Sequence, residues 1–166
     1  LWNNYETDYK PLLEFARENG LEFIATNVPR RYAAMVARKS LDSLELLSGT
    51  ALEYTAPLPV EFDPGLECYK AMTGMGGRHG INYIAEAQAL KDATMAHFIV
   101  KNLNKGTLFL HFNGAYHSDN YESINWYLKK YREGLEILTI STKTQENIHN
   151  FDDEHKNVAD FIIVVD

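Results

Sequence analysis

Apolar residues recur along this chain with two periods, and the switches between them mark out its elements. Leu12, Leu13, Phe15 and Ala16 share one side of a predicted helix, with Thr7 or Asp8 as its cap, Pro11 in its opening turn and Asn19-Gly20 at its end. Leu21–Thr26 then reads as a strand, too short and too bounded for another helix. The turn Asn27-Val28-Pro29 follows, and a second helix starts at Arg30. Tyr83–Leu103 is the longest helical stretch, rich in alanine and free of glycine and proline. Thr107–Phe112 reads as a second strand that breaks at Asn113-Gly114. Asp119 caps the next helix, with Glu122 completing a capping box and Ile124, Tyr127, Leu128 and Tyr131 on its apolar face. Gly134 closes that helix, and strands are expected at Leu135–Ser141 and Asp160–Val165, separated by the polar stretch 142–153. Four strand candidates alternating with helices predict a single α/β domain over residues 1–166, with a mainly parallel central sheet flanked by helices. Residues 49–80 stand apart: Pro57, Pro59 and Pro64 precede five glycines, and the pattern predicts an irregular lid-like insertion. It holds Tyr54, Tyr69, Met72, Met75 and His79, with only a short helical possibility around Leu66–Met72.

In an open α/β sheet, ligands bind beyond the carboxyl ends of the strands. The turn after Thr107–Phe112 holds Asn113, Gly114, Tyr116 and His117. The turn after Leu21–Thr26 holds Asn27 and Arg30, so parallel strands bring both turns to one edge. Arg30 has two readings, as an anchor for an anionic group at a helix N-terminus or as a solvated surface residue. On the long helix, steps of about 100° put Ile84, Gln88, Asp92, Met95 and Ile99 on one face. Glu86, His97 and Lys101 fall opposite. A carboxylate directed inward must be paired, hydrogen-bonded or protonated. Gln88 and Asp92 therefore either fix packing as a buried polar network or orient a ligand histidine. His79 lies on a glycine-flanked turn of the lid-like segment. His149 and His155 lie among Asp152, Asp153 and Glu154, as a weak metal site or simply an exposed acidic loop.

A net charge of −7 argues against a nucleic-acid surface, which needs clustered lysine and arginine. Cys68 is the single cysteine, so neither an internal disulfide nor a multi-thiolate zinc site can form. No transmembrane-length apolar run and no signal-peptide pattern occurs. No GxSxG, HExxH or Walker A motif occurs either.

Three segments in order, WNNYETDYKPLLEFARENGLEFIATNVPRR, EAQALKDATMAHFI and HFNGAYHSD, resemble the ChaN-like haem-binding lipoproteins of the Tiki superfamily. Erythromycin-esterase-like and TraB/Tiki proteins are broader relatives. The resemblance runs from Trp2 to about Ile140 and is most specific at Asn27–Arg30, at Ala87-Gln88 with Asp92 and Met95-Ala96, and at Gly114–His117. The last matches the family's second glycine-x-x-histidine signature. Family members begin with a signal and a lipid-attachment cysteine, followed by a strand ending in Gly-Glu-x-His. Nothing here matches those features, and about a hundred residues are expected to precede Leu1.

The resemblance implies haem handling in iron acquisition, on an outer-membrane lipoprotein anchored by lipid outside this sequence. It also implies tyrosine or histidine contacts to haem, which a homodimer encloses. Axial candidates here are His117, Tyr116 and His79, with Arg30 as a propionate partner and Asn27 at the same edge. Gln88, Asp92, Asn113 and Gly114 would support them. Two other readings remain open. In a hydrolase, His117 would bind a divalent metal ion with Asp92 behind it. In an interaction module docking on an outer-membrane transporter, these polar residues would be structural.

Overall fold

The computed structural model describes residues 3–73 and 81–166. Helix α5 (Ile84–Asn102) is its axis, and α2 (Arg30–Lys39), α4 (Glu67–Thr73) and α6 (Ile124–Tyr131) pack against it. Because the helix meets neighbours on several sides, it carries no single apolar stripe. Ala89, Ala93 and Ala96 are fully buried, and their small side chains let the surrounding helices approach closely. The main core joins α5 to Val36 of α2, Leu44, and Tyr127 and Leu128 of α6. A smaller cluster sets Tyr69 of α4 on Ala85 and Ala89.

Residues 49–73 are held to this axis. They contain α3 (Gly49–Leu52) and α4, and they bury Thr55, Ala56, Val60 and Tyr69. Thr94 Oγ1 accepts from the Ala56 amide at 3.1 Å and donates to the Leu90 carbonyl at 2.7 Å. The glycine-rich remainder of the segment, with His79, lies outside the described residues.

Two strands form, β1 (Ile140–Thr144) and β2 (Phe161–Val165), paired in parallel with Ile140 opposite Phe161. The strand expected at Leu135–Ser141 begins at Ile140 and runs to Thr144. The larger correction concerns Leu21–Thr26 and Thr107–Phe112. Both are extended, but among the described residues neither joins a ladder, so the sheet has two strands rather than four. An apolar run specifies extended backbone, whereas a ladder needs a second backbone about 4.8 Å away. Among the described residues, these two segments make no such pairing.

The helix starts differ from expectation where acidic side chains are engaged elsewhere. The first helix, α1 (Lys10–Glu18), follows a π-type turn at Tyr5–Tyr9, and Asp8 accepts from Asn4 Nδ2 rather than capping. The capping box at Asp119 and Glu122 does not form. Asp119 accepts from Ser141 Oγ at 2.7 Å and pairs with Lys143 of β1. Glu122 instead reaches the start of α4, accepting from the amides of Glu67 (3.3 Å) and Cys68 (2.7 Å). Among the described residues no helix is long and apolar enough to cross a membrane.

Candidate functional site

Asp92 is fully buried on α5, and its carboxylate is the centre of the site. Oδ1 accepts from His117 Nδ1, and Oδ2 accepts from the Tyr69 hydroxyl at 2.9 Å. Burial pushes the Asp92 pKa up, while the contacts to His117 and Tyr69 oppose that shift. Burial and the Asp92 charge together push the Tyr69 phenol up, so it stays a neutral donor. Gln88, one turn before Asp92, places its amide nitrogen 2.9 Å from Nδ1 and 3.4 Å from Nε2 of the same imidazole. With Nδ1 donating to Asp92, the amide donates to Nε2 through the longer contact, which is at the weak end of hydrogen bonding. The inward pair expected on the long helix thus meets the histidine expected on the turn.

The chain around His117 is clamped from α6. His117 ends a 3-10 turn, Ala115–His117, and a second such turn, Asp119–Tyr121, follows it. Ser123 Oγ donates to the Tyr116 carbonyl at 3.1 Å, and Asn125 Nδ2 donates to the Ser118 carbonyl at 2.9 Å. Asn120, Tyr121 and Ser123 all take positive φ, +58°, +60° and +54°. Left-handed backbone is costly at residues with a Cβ, a tyrosine above all, so surrounding contacts must hold it. The buried Ser123 and its bond to Tyr116 are such contacts.

A second polar chain runs beside the first. Thr26 Oγ1 lies 2.8 Å from His111 Nε2, and His111 Nδ1 lies 3.0 Å from Asn113 Oδ1. A neutral His111 satisfies both, donating from Nδ1 and accepting at Nε2. Its pKa is lowered mainly by burial, which favours that form. Asn113 passes the chain on, donating to the Gly114 carbonyl and to Ser118 Oγ, both at 2.9 Å. Gly114 itself has ordinary extended backbone with open space where a Cβ would sit, so its conformation does not demand glycine.

The other expected residues are placed loosely. Tyr116 is 71% exposed. Asn27 is exposed in the turn before α2, and Arg30 is exposed at the first position of that helix. His79 lies outside the described residues. The roles of three residues in the arrangement were not anticipated. Tyr69 sits on α4, where a short helix around Leu66–Met72 was expected, but nothing local marks its hydroxyl as the partner of Asp92, twenty-three residues on. Thr26 and His111 are embedded in apolar runs, where a single polar residue at a strand's carboxyl end was the available signal.

The arrangement holds one imidazole in a set orientation by a buried carboxylate, as a ligand or a proton carrier requires. Among the described residues, the only grouping of three metal-type side chains is Asp152, Glu154 and His155, which does not include His117. Residues 1–128 match the family described as "Haem-binding uptake, Tiki superfamily, ChaN". No curated protein and no solved structure matches the chain.

Proposed function

The chain belongs to the ChaN family of haem-binding uptake proteins in the Tiki superfamily, and we propose that it holds haem through His117 as a non-catalytic protein of bacterial haem and iron acquisition. The single observation that carries this reading is the Asp92–His117 pair. A carboxylate that accepts from Nδ1 fixes the tautomer that leaves the lone pair on Nε2, and it raises the basicity of that nitrogen.

The residues present fit a haem iron. The imidazole is a side-chain ligand of an established axial type, and among the described residues its Nε2 is engaged only by one long amide contact. Tyr116, the preceding residue, offers an exposed aromatic ring, and Arg30 an exposed guanidinium suited to a propionate. Bound haem supplies an iron centre and its visible absorbance. The chain's own residues bind and orient: Tyr69 and Asp92 set the imidazole, while Ser123 and Asn125 hold its turn. Placement as a lipid-anchored outer-membrane protein, exchange with an outer-membrane transporter and enclosure of haem in a homodimer belong to the same proposal.

The test is a haem titration of the protein and of His117→Ala, followed by Soret absorbance. A saturable shift that weakens or moves on substitution is expected. If both proteins bind alike, His117 is not the ligand, and Tyr116→Phe identifies the alternative. If the intact protein gives no saturable shift, the haem reading fails. A divalent ion at His117, as in a metal-dependent hydrolase, then becomes the reading to test by metal analysis.

A further inference from the structure

The amide of Gln88 is the one group among the described residues that engages the imidazole nitrogen left free to bind. Gln88 lies one helical turn before Asp92, so amide and carboxylate reach the His117 ring from the same side of α5. Which end of an amide is the nitrogen is decided by its partners. Lys91, three residues on, donates from Nζ to Gln88 Oε1 at 3.4 Å, and an ammonium has no other way to meet it. The oxygen therefore faces Lys91 and the NH2 group faces the ring.

That amide is poorly served for a buried group. Nδ1 already donates to Asp92, so the approach of Gln88 Nε2 to Nδ1 at 2.9 Å sets one donor against another. The contact to the Nε2 lone pair and the contact from Lys91 are both 3.4 Å, near the outer limit of hydrogen bonding. The Gln88 side chain makes no other hydrogen bond among the described residues. Buried amides are normally well satisfied, and one that is not calls for an explanation. The contrast is with Tyr69, whose 2.9 Å bond to Asp92 fixes it in place. Gln88 gives up little when it turns away.

We propose that Gln88 is a displaceable cap on His117 Nε2, held by Lys91, and that it determines which ligands the imidazole accepts. The inference rests on the reading of His117 as the haem ligand. Asp92 and Tyr69 set the ring, whereas Gln88 competes for the nitrogen they leave available. The His117 side chain is only 17% exposed and Gln88 only 7%, so the amide stands in for solvent at that nitrogen. A molecule that merely donates a hydrogen bond to Nε2 gains little over the donor already present. A metal centre forms a coordinate bond instead, and the amide yields to it. The cap thus favours metal ligation over polar binding, at the cost of one weak hydrogen bond.

Gln88→Met keeps the length of the side chain without its donor, and Gln88→Ala removes both, so agreement between them separates the donor from packing. Haem affinity by Soret titration should rise roughly two- to fivefold in each, the equivalent of one weak hydrogen bond. A residue that merely supported the ring would give the opposite sign. A readout without haem is the rate at which diethyl pyrocarbonate acylates His117, followed by mass spectrometry of its peptide. There Nε2 attacks a carbonyl of the reagent, Nδ1 gives up its proton and ethyl carbonate leaves. That rate should rise by a similar factor in both variants. Lys91→Met, at a half-buried position, leaves the amide present but unheld and should also speed acylation. It decides the matter if the Gln88 variants do not fold. Acylation that is unchanged or slower, or haem binding that weakens, overturns the proposal. If the intact chain gives no saturable Soret shift while acylation still rises in the variants, the cap stands and the haem reading alone fails.

Discussion

Asp92→Asn and Asp92→Ala together separate the positioning of His117 from the stability of the fold. In the wild type the buried carboxylate accepts from His117 and from Tyr69, and its burial is the largest influence on its ionisation. Asparagine keeps the shape and one carbonyl acceptor, and it removes a charge that is costly to bury. The loss of a charge-assisted hydrogen bond, about 1.5–3 kcal/mol, is therefore offset in part by cheaper desolvation. A net change within about 1 kcal/mol is expected, or roughly 2–4 °C in melting temperature for a domain of this size. Alanine leaves both the imidazole Nδ1 and the Tyr69 hydroxyl without their acceptor. At about 1–3 kcal/mol for each unsatisfied group, the cost is roughly 2–6 kcal/mol. Haem affinity should fall about 10–100-fold in both variants, because neither holds the imidazole with a carboxylate. Thermal unfolding by circular dichroism gives the first quantity, and Soret titration the second. If Asp92→Asn binds haem as the wild type does, the carboxylate does not position the ligand. If Asp92→Ala melts with the wild type, the network does not contribute to the fold as described.

Three further outcomes follow from other contacts. His111 has a lowered pKa in the folded state, so below its ordinary value of 6.5 the unfolded chain binds more protons than the native one. Stability should then fall as pH drops from about 6.5, by no more than about 1.4 kcal/mol per unit, and His111→Gln should flatten that slope in melting curves. Burial pushes the Cys68 thiol from 9.0 up to about 11, so its thiolate fraction at pH 8 is cut about 100-fold. Its reaction with a disulfide reagent should be slower than that of the urea-unfolded chain by at least tens-fold, and equal rates would refute the burial. Asp119→Ala removes the partner of Lys143 and Ser141 in a mostly buried pair. A loss of about 2–3 kcal/mol is expected in urea titrations, below the figure for fully buried pairs because some exposure remains.

Local patterns fared well where local physics decides. The helix expected from Tyr83 to Leu103 spans Ile84–Asn102, and the one expected from Arg30 begins there, because composition and a preceding proline act within a few residues. The inward placement of Gln88 and Asp92 was legible from helical geometry alone, and the histidine they meet from the Asn113-Gly114 break that ends the preceding apolar run. Pairing was not legible. Leu21–Thr26 and Thr107–Phe112 have the residues of strands, but a run of apolar side chains does not say where its partner backbone lies. The capping box failed for a related reason. Asp and Glu are good caps wherever they are free, and here Lys143 and the start of α4 claim them from distant parts of the chain. The bond from Tyr69 to Asp92 was not legible because a hydroxyl's partner twenty-three residues away leaves no local trace.

The service Glu122 renders to α4 closes a circuit. Its carboxylate holds the first turn of that helix, which carries Tyr69; Tyr69 steadies Asp92; Asp92 steadies His117; and His117 lies on the stretch that leads back to Glu122. Each member is thus held twice, once through the chain and once through space. Unwinding α4 removes the phenol from Asp92 and the amides from Glu122 in a single event, loosening both ends of the turn between them. The short helix and the imidazole therefore share one fate, and whatever orders or melts α4 sets how firmly His117 is held.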